Sequence, residues 1–349
     1  MLNFCEAYIY TFVLMEKSET NQRVAVIGGG SWSTAIVKIL SNNLEKIDWW
    51  MRNEQSVKHI NDYGHNPNYL SSVEIDLEKV FPTNHIEKVI EDNDILILAV
   101  PSAFLSESLK DVKPELFRGK TVFSAIKGII PEENAIVGSY MKKHFNIQEE
   151  DFGIICGPCH AEEVALEKLS YLTIACKDAE KAEFIAEKMR CRYIKTTTSE
   201  DVYGTEISAI YKNVIAIACG ICHGLGYGDN FQAVLISNAI QEIERFVDAV
   251  SPVHRDVLTS AYLGDLLVTG YSQFSRNRLF GTMLGKGYSV RFAHLEMNMV
   301  AEGFYAVKSI HELNENYKVD IPIAEAVYNI IYQKYAPGME MRLLADKLS

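Results

Sequence analysis

The segment Val24-Ala-Val-Ile-Gly28-Gly29-Gly30-Ser31-Trp32-Ser33 constrains this chain most, because an unbroken aliphatic run ends in three glycines and passes straight into a helical pattern. Such a run suits a strand buried on both faces of a parallel sheet. Glycines at its end let the backbone approach a ligand closely, and the first amides of the following helix can hold a pyrophosphate. Gly28 and Gly30 stand at the first two glycine positions of a dinucleotide fingerprint, with Ser33 in place of the third. That third glycine serves helix–strand packing, and serine is only slightly larger. A tight turn without a ligand is the plain alternative.

Further candidate strands are Ile47–Met51, Ile95–Val100, Thr121–Ser124, Phe152–Cys156, Tyr171–Ala175 and Arg192–Lys195, alternating with helical patterns such as Thr34–Leu44 and Ala179–Met189. Alternation of this kind predicts a Rossmann-like, doubly wound α/β domain over residues 22–200. Beyond Val202 the stretches Thr205–Cys219, Asn230–Val250, His294–Glu315 and Ile323–Tyr335 read at helical period, so an all-α C-terminal domain is expected over 201–349. Residues 1–21 are set apart as an N-terminal extension. Their only charge before Met15 is Glu6, which does not fit a signal peptide with its basic leader. Met15 is read as the true start, or the segment as a short extra strand.

Basic residues number 34 against 46 acidic ones, a formal net charge of −12, and this speaks against a nucleic-acid partner. A small anionic ligand held by a few local cations remains compatible. No run of about 18 uncharged apolar residues occurs, so no membrane span is expected. A cytoplasmic setting follows, with the 7 cysteines as reduced thiols. Cys156-Gly-Pro-Cys159-His160 and Cys219-Gly-Ile-Cys222-His223 match short haem and redox patterns. Haem attachment needs export, and a shared zinc site would join pairs spaced roughly 60 residues apart, outside finger spacing. Ordinary thiols are expected, and no metal.

Four polar features stand out. Lys127, in Ser124-Ala-Ile-Lys127-Gly128, follows a buried strand at the ligand-facing end of the sheet, although a loop lysine in solvent would look the same. Lys212 lies in the middle of the apolar run Ile207–Ala216, where burial would lower its pKa and suit it to acid–base work. A lysine snorkelling to the helix surface is the alternative. Asp265 opens another apolar segment and could pair with a buried lysine. Ser275-Arg276-Asn277-Arg278 gathers two guanidiniums and an amide, apt for a phosphate or for a solvated turn. Asp229 or Asn230 is the expected N-cap of the helix after the Gly224–Gly228 turn. At the end of the second strand Arg52 stands about 20 residues past the glycines, where a carboxylate would favour NAD; an arginine there can face a 2′-phosphate or merely solvent.

Together these pieces resemble bacterial NAD(P)-dependent glycerol-3-phosphate dehydrogenase. The matches run in order: Gly28–Ser33, Ser124–Gly128, Gly157-Pro-Cys-His-Ala161, Lys212–Ala216, Gly224–Asn230, Leu263–Leu266, Ser275–Arg278 and Ala301-Glu-Gly303. The resemblance implies reversible hydride transfer between NAD or NADP cofactors and dihydroxyacetone phosphate. By position it makes Lys212 the catalytic acid/base, Lys127 a lysine between substrate and nicotinamide, and Asp265 the carboxylate orienting lysine and substrate hydroxyl, with Asn213 beside them. It implies substrate contacts from Gly157, Cys159, Ser275, Arg276 and Asn277, the last two the best phosphate ligands. Cofactor contacts would come from Ser31, Trp32, Arg52, Ala161, Arg276, Val300 and Glu302. Cys159 replaces the usual serine, and a thiol is the poorer donor. A homodimer and a role in phospholipid synthesis are implied at family level only. A 3-hydroxyacyl or 6-phosphogluconate-type dehydrogenase and a non-catalytic nucleotide sensor are the competing readings; the lysine pair speaks against both, and the Ser-Arg-Asn-Arg cluster against the first.

Overall fold

Eight strands form one sheet: β1 (Val24–Ile27), β2 (Ile47–Trp50), β3 (Val80–Thr83), β4 (Ile95–Leu98), β5 (Thr121–Ser124), β6 (Phe152–Cys156), β7 (Ser170–Cys176) and β8 (Ile194–Ser199). The computed structural model describes residues 22–297 and 301–349, so the expectations for the N-terminal extension and for Val300 lie outside the described residues. The strand order is β3-β2-β1-β4-β5-β6-β7-β8, and neighbours are parallel except for β6 against β7. Strand order therefore reverses between β1 and β4, and the crevice beyond their carboxyl ends is where ligands bind in such sheets. Every residue of β1, β4, β5 and β6 is buried, as the aliphatic runs of β1 and β4 and the uncharged runs of β5 and β6 predict.

The sequence reading missed β3. Its Val-Phe-Pro-Thr run carries a proline and only one buried residue, which an edge strand tolerates and an apolar-run search passes over. It also placed β8 too early, because this second edge is a half-exposed threonine ladder rather than an aliphatic run. The helix after the glycines spans Ser31–Leu40 and not Thr34–Leu44, since Gly30 already acts as its N-cap. In the second half, His294–Glu315 is two helices, Val290–Glu296 and Glu302–Tyr317. Gly228, not Asp229 or Asn230, caps the helix Asp229–Val250.

The helical half is built around Val202–Gly224, a helix of 23 residues. By length and mean hydropathy (1.3) it alone among the described residues could cross a membrane, yet 89% of its apolar stretch is buried in the protein. Side chains of this helix (Ile210, Val214, Ile215) share one core with Leu98, Val122 and Ile154 of the sheet, so the two halves are joined by apolar packing. Across it lies the helix Arg276–Gly285. A Cβ on Gly220 or Gly281 would strike the carbonyl of Arg278 or Ile217 respectively, so the two backbones touch. That close crossing brings the Ser-Arg-Asn-Arg turn up to the helix that carries Lys212. Buried Glu242 anchors the same helix: its carboxylate accepts from the Tyr211 hydroxyl (2.8 Å) and from the amides of Ile323 (2.8 Å) and Ala324 (2.9 Å).

Candidate active site

A cleft of about 510 Å³ opens where the carboxyl ends of β1, β4 and β5 meet the helical half. Its floor is the glycine turn. Gly28 has φ +145°, and a Cβ there would collide with the carbonyl of Ala99, so this glycine lets β1 and β4 run side by side to their ends. Gly28 does not line the cleft. Around Gly30 a Cβ would meet nothing within 4 Å, which leaves open space in front of the helix N-terminus at Ser31. The hydroxyls of Ser33 and Thr34 both donate to the Gly30 carbonyl (2.8 and 2.9 Å), locking the turn. Trp32 presents a buried indole N–H without a partner at the cleft wall. An open cradle, free helix amides and an unpaired donor together fit a dinucleotide pyrophosphate.

Asn53 caps the helix Glu54–Tyr63 by accepting from the Ser56 amide (3.1 Å), and it lines the cleft beside Arg52. The guanidinium of Arg52 lies 5.8 Å from the centre of the Phe104 ring. The strand end thus offers a cation and an aromatic face and no carboxylate.

Deeper in the cleft, three charged groups meet. Lys212 is 4% exposed and Asp265 1%. The Lys212 ammonium donates to one Asp265 oxygen and to the Thr269 hydroxyl (2.9 Å). Thr269 spends its own proton on the Asp265 carbonyl (2.7 Å), so its oxygen is left to accept. The Lys127 ammonium donates to the other Asp265 oxygen (3.2 Å) and to the Gly157 carbonyl (3.1 Å). Asn213 holds the Lys127 loop through its carbonyl (2.6 Å). Each ammonium has three protons and two partners, which leaves one proton per lysine for the cleft.

Burial pushes Lys212 down to about 8; the Asp265 carboxylate opposes that shift and the Lys127 ammonium adds to it. Burial, the largest single influence, works the same way on Lys127, but the opposing contributions, led by Asp265 and joined by Cys159 and Cys156, together outweigh it and the net shift is upward. For Asp265, burial disfavours the carboxylate, yet the two ammonium groups prevail and hold it below its ordinary value. Near neutral pH the trio therefore has Lys127 charged, Asp265 ionised and Lys212 close to its titration point.

At the other wall Ser275 caps the helix Arg276–Gly285, accepting from the Arg278 amide (3.3 Å), and Asn277 accepts from the Gly303 amide (2.9 Å). Arg276 is exposed at the cleft mouth, next to the first amides of its helix. Glu302 accepts from the amide (3.1 Å) and hydroxyl of Ser102 and fills the space a Cβ on Gly128 would need.

The structure thus brings Gly30, Ser31, Trp32, Arg52, Lys127, Cys159, Ala161, Lys212, Asn213, Asp265, Ser275, Arg276, Asn277 and Glu302 to one cleft. Gly157 does not line it, and its carbonyl accepts from the Lys127 ammonium. Cys159 lines the wall, with its thiol donating to the Tyr171 carbonyl (3.2 Å). Burial pushes both Cys156 and Cys159 up to about 12, and the six described cysteines are free thiols. Sequence reasoning missed Thr269, one turn after Asp265, and Phe104, which have no charge or glycine pattern to betray them, and passed over His160 inside the Gly157–Ala161 match.

Two family models match in tandem. The model described as NAD-dependent glycerol-3-phosphate dehydrogenase N-terminus covers residues 23–182, and its C-terminus counterpart covers 201–342. A glycerol-3-phosphate dehydrogenase [NAD(P)+] of Staphylococcus carnosus (strain TM300) is 31% identical over 329 residues, 93% of this chain and 98% of that one. One from Streptococcus sanguinis (strain SK36) is 33% identical over 313 residues, covering 89% and 92%. The crystal structure of the Coxiella burnetii glycerol-3-phosphate dehydrogenase superposes with TM-score 0.85 at 24% identity, covering 93% of this chain and 98% of that one.

Proposed function

Because the chain belongs to the NAD-dependent glycerol-3-phosphate dehydrogenase family, we propose that the cleft just described carries out that family's reaction with Lys212 as its acid/base. The reaction is reversible hydride transfer between NAD(P)H and dihydroxyacetone phosphate, giving sn-glycerol 3-phosphate. A bound nicotinamide cofactor supplies or takes up the hydride. Gly30, Ser31 and Trp32 would hold its pyrophosphate, and Ala161 and Glu302 would border the same path.

The substrate phosphate binds at the N-terminus of Arg276–Gly285, where unpaired amides, Arg276 and Asn277 converge. Lys127 and Lys212 aim their remaining protons at the carbonyl oxygen, so positive charge stands ready where the alkoxide develops. Lys212 gives up its proton in reduction and takes one back in oxidation. Asp265 holds both lysines in place, and Thr269 fixes the direction of Lys212. The single observation that carries this reading is the buried Lys127–Asp265–Lys212 trio at the inner end of a cleft floored by a glycine turn.

The same reading makes the protein a cytoplasmic homodimer that supplies glycerol phosphate for phospholipid synthesis, divided into an α/β domain up to residue 200 and a helical domain beyond it. Its support is the family likeness. For the cofactor, Arg52 favours NADPH, because a guanidinium at this strand end can pair a 2′-phosphate.

Following the loss of reduced-nicotinamide absorbance on adding dihydroxyacetone phosphate, with NADH and NADPH in parallel, tests these points. Substrate-dependent loss is expected. Arg52→Ala is expected to raise the KM for NADPH about tenfold relative to that for NADH, equivalent to one modest charge-assisted contact. Binding of cofactor without any oxidation would overturn the enzymatic reading, and equal KM changes would remove Arg52 from cofactor choice.

A further inference from the structure

We propose that Asp201 is a positioning residue for the reaction: through the Tyr262 hydroxyl it ties the start of the Lys212 helix to the turn that presents Asp265, and so sets the contact between the two. This rests on the reading of Lys212 as acid/base and deepens it.

Asp265 is the first residue of the helix Asp265–Tyr271, and the chain enters that helix through a single π-turn, Ser260–Gly264. Such turns are rare and gather at functional sites. A π-turn adds one residue to the helical ladder, and one residue turns an α-helix by about 100°. The π-turn therefore decides which way the Asp265 carboxylate leaves its helix. The Asp265 amide is part of it, donating to the carbonyls of Ser260 and Tyr262.

Tyr262 anchors this turn from outside. It is 5% exposed, and its hydroxyl donates to the Asp201 carboxylate (2.5 Å). Asp201 caps the Lys212 helix, Val202–Gly224, accepting from the Gly204 amide (2.9 Å) on one oxygen. Its other oxygen takes both the Tyr262 hydroxyl and the Arg255 Nε–H (2.8 Å). The Arg255 side chain is only 3% exposed and is held in turn by Asp248 and by the Ser251 carbonyl (2.7 Å) at the end of the helix Asp229–Val250. A buried polar network with its members paired rigidifies what it joins. Two connections thus leave Asp201, one along the helix to Lys212 and one through Tyr262 to the Asp265 amide. They meet again where the Lys212 ammonium donates to Asp265. Asp201, Arg255 and Tyr262 do not line the cleft, so their influence on the chemistry passes through that pair.

The test uses Tyr262→Phe, which removes one hydroxyl and strands no charge, because Asp201 keeps Arg255. Asp201→Asn is the second variant: asparagine caps a helix as well as aspartate, but its amide nitrogen cannot accept from Tyr262 and Arg255. Each substitution is made in wild type and in Lys212→Ala. Reductase kcat is expected to fall ~10-fold in each variant, the scale for a catalytic group displaced by a fraction of an ångström. The KM for reduced cofactor should stay within about twofold, since the glycine turn is untouched. Asp265 raises the pKa of Lys212, so a slackened contact should also move the alkaline limb from about 8 to lower pH. In the Lys212→Ala background the same substitutions should cost less than about twofold, because no lysine is left to position. A merely structural role would leave the limb in place and cost the same in both backgrounds, and either result would overturn the assignment. Wild-type kcat and an unmoved limb in Asp201→Asn would overturn it as well. A wild-type profile without a Lys212-dependent limb would remove the parent reading, and this one with it.

Discussion

Lys212→Ala is expected to turn over dihydroxyacetone phosphate at least ~100-fold more slowly than the wild type, the low end for loss of a positioned acid/base. Two features make this a clean test. The substitution leaves Asp265 paired with Lys127 at 3.2 Å, so no buried charge is stranded and the protein should fold. It also leaves the glycine turn untouched, so cofactor should still bind. Lys127 keeps its positive charge near the ketone and accounts for residual activity through electrostatic stabilisation alone. Steady-state kcat, measured with a melting curve and a cofactor titration on the same sample, gives the answer. Turnover within about tenfold of wild type would show that protonation comes from elsewhere.

Asp265→Asn should harm both stability and chemistry. The carboxylate is the only acidic group that the two lysines touch in the trio, and it is 1% exposed. Without it two ammonium groups face each other in a buried site, a loss of about 3 kcal/mol by the usual cost of breaking a buried pair. The protein can relieve part of this by releasing the Lys212 proton. Asp265 raises the pKa of Lys212 in the wild type, so its removal lets burial and Lys127 drive that pKa further below 8. Denaturant unfolding at pH 7 should show the destabilisation, and the alkaline fall in reductase activity should move to lower pH. Wild-type stability together with an unmoved pH limb would contradict the trio as described.

What the sequence disclosed, and what it hid, follows from the physics of each element. β1 and β4 were legible because strands buried on both faces are aliphatic throughout, and β5 and β6 because they are short uncharged runs around Val-Phe and Ile-Ile. The edge strands β3 and β8 were not, because one proline and a run of threonines relax that demand. Lys212 announced itself as an ammonium in an apolar run, and its partner Asp265 as a carboxylate opening another. Their pairing spans 53 residues and becomes visible only in space. Thr269 carries no such mark, since a threonine in a helix is commonplace until a lysine is found pointing at it. The close crossing at Gly220 and Gly281 was equally hidden, because each glycine looks like a helix weakness on its own. The direction of the Cys159 thiol, donating to the Tyr171 carbonyl while the residue lines the cleft, was likewise visible only in space.

The most direct test of the account is the pH dependence of kcat/KM for the wild-type enzyme, measured in both directions over pH 6 to 10 (a range centred on the Lys212 value of about 8). A group lowered to about 8 by burial is protonated below that pH and neutral above it. Reduction of dihydroxyacetone phosphate needs the proton and should fall as pH rises through about 8, whereas oxidation of glycerol 3-phosphate needs the free amine and should fall as pH drops through the same value. Mirror-image limbs that vanish in Lys212→Ala are the predicted result. Limbs running in the same direction, or limbs near 8 that persist in the alanine variant, would contradict Lys212 as the acid/base.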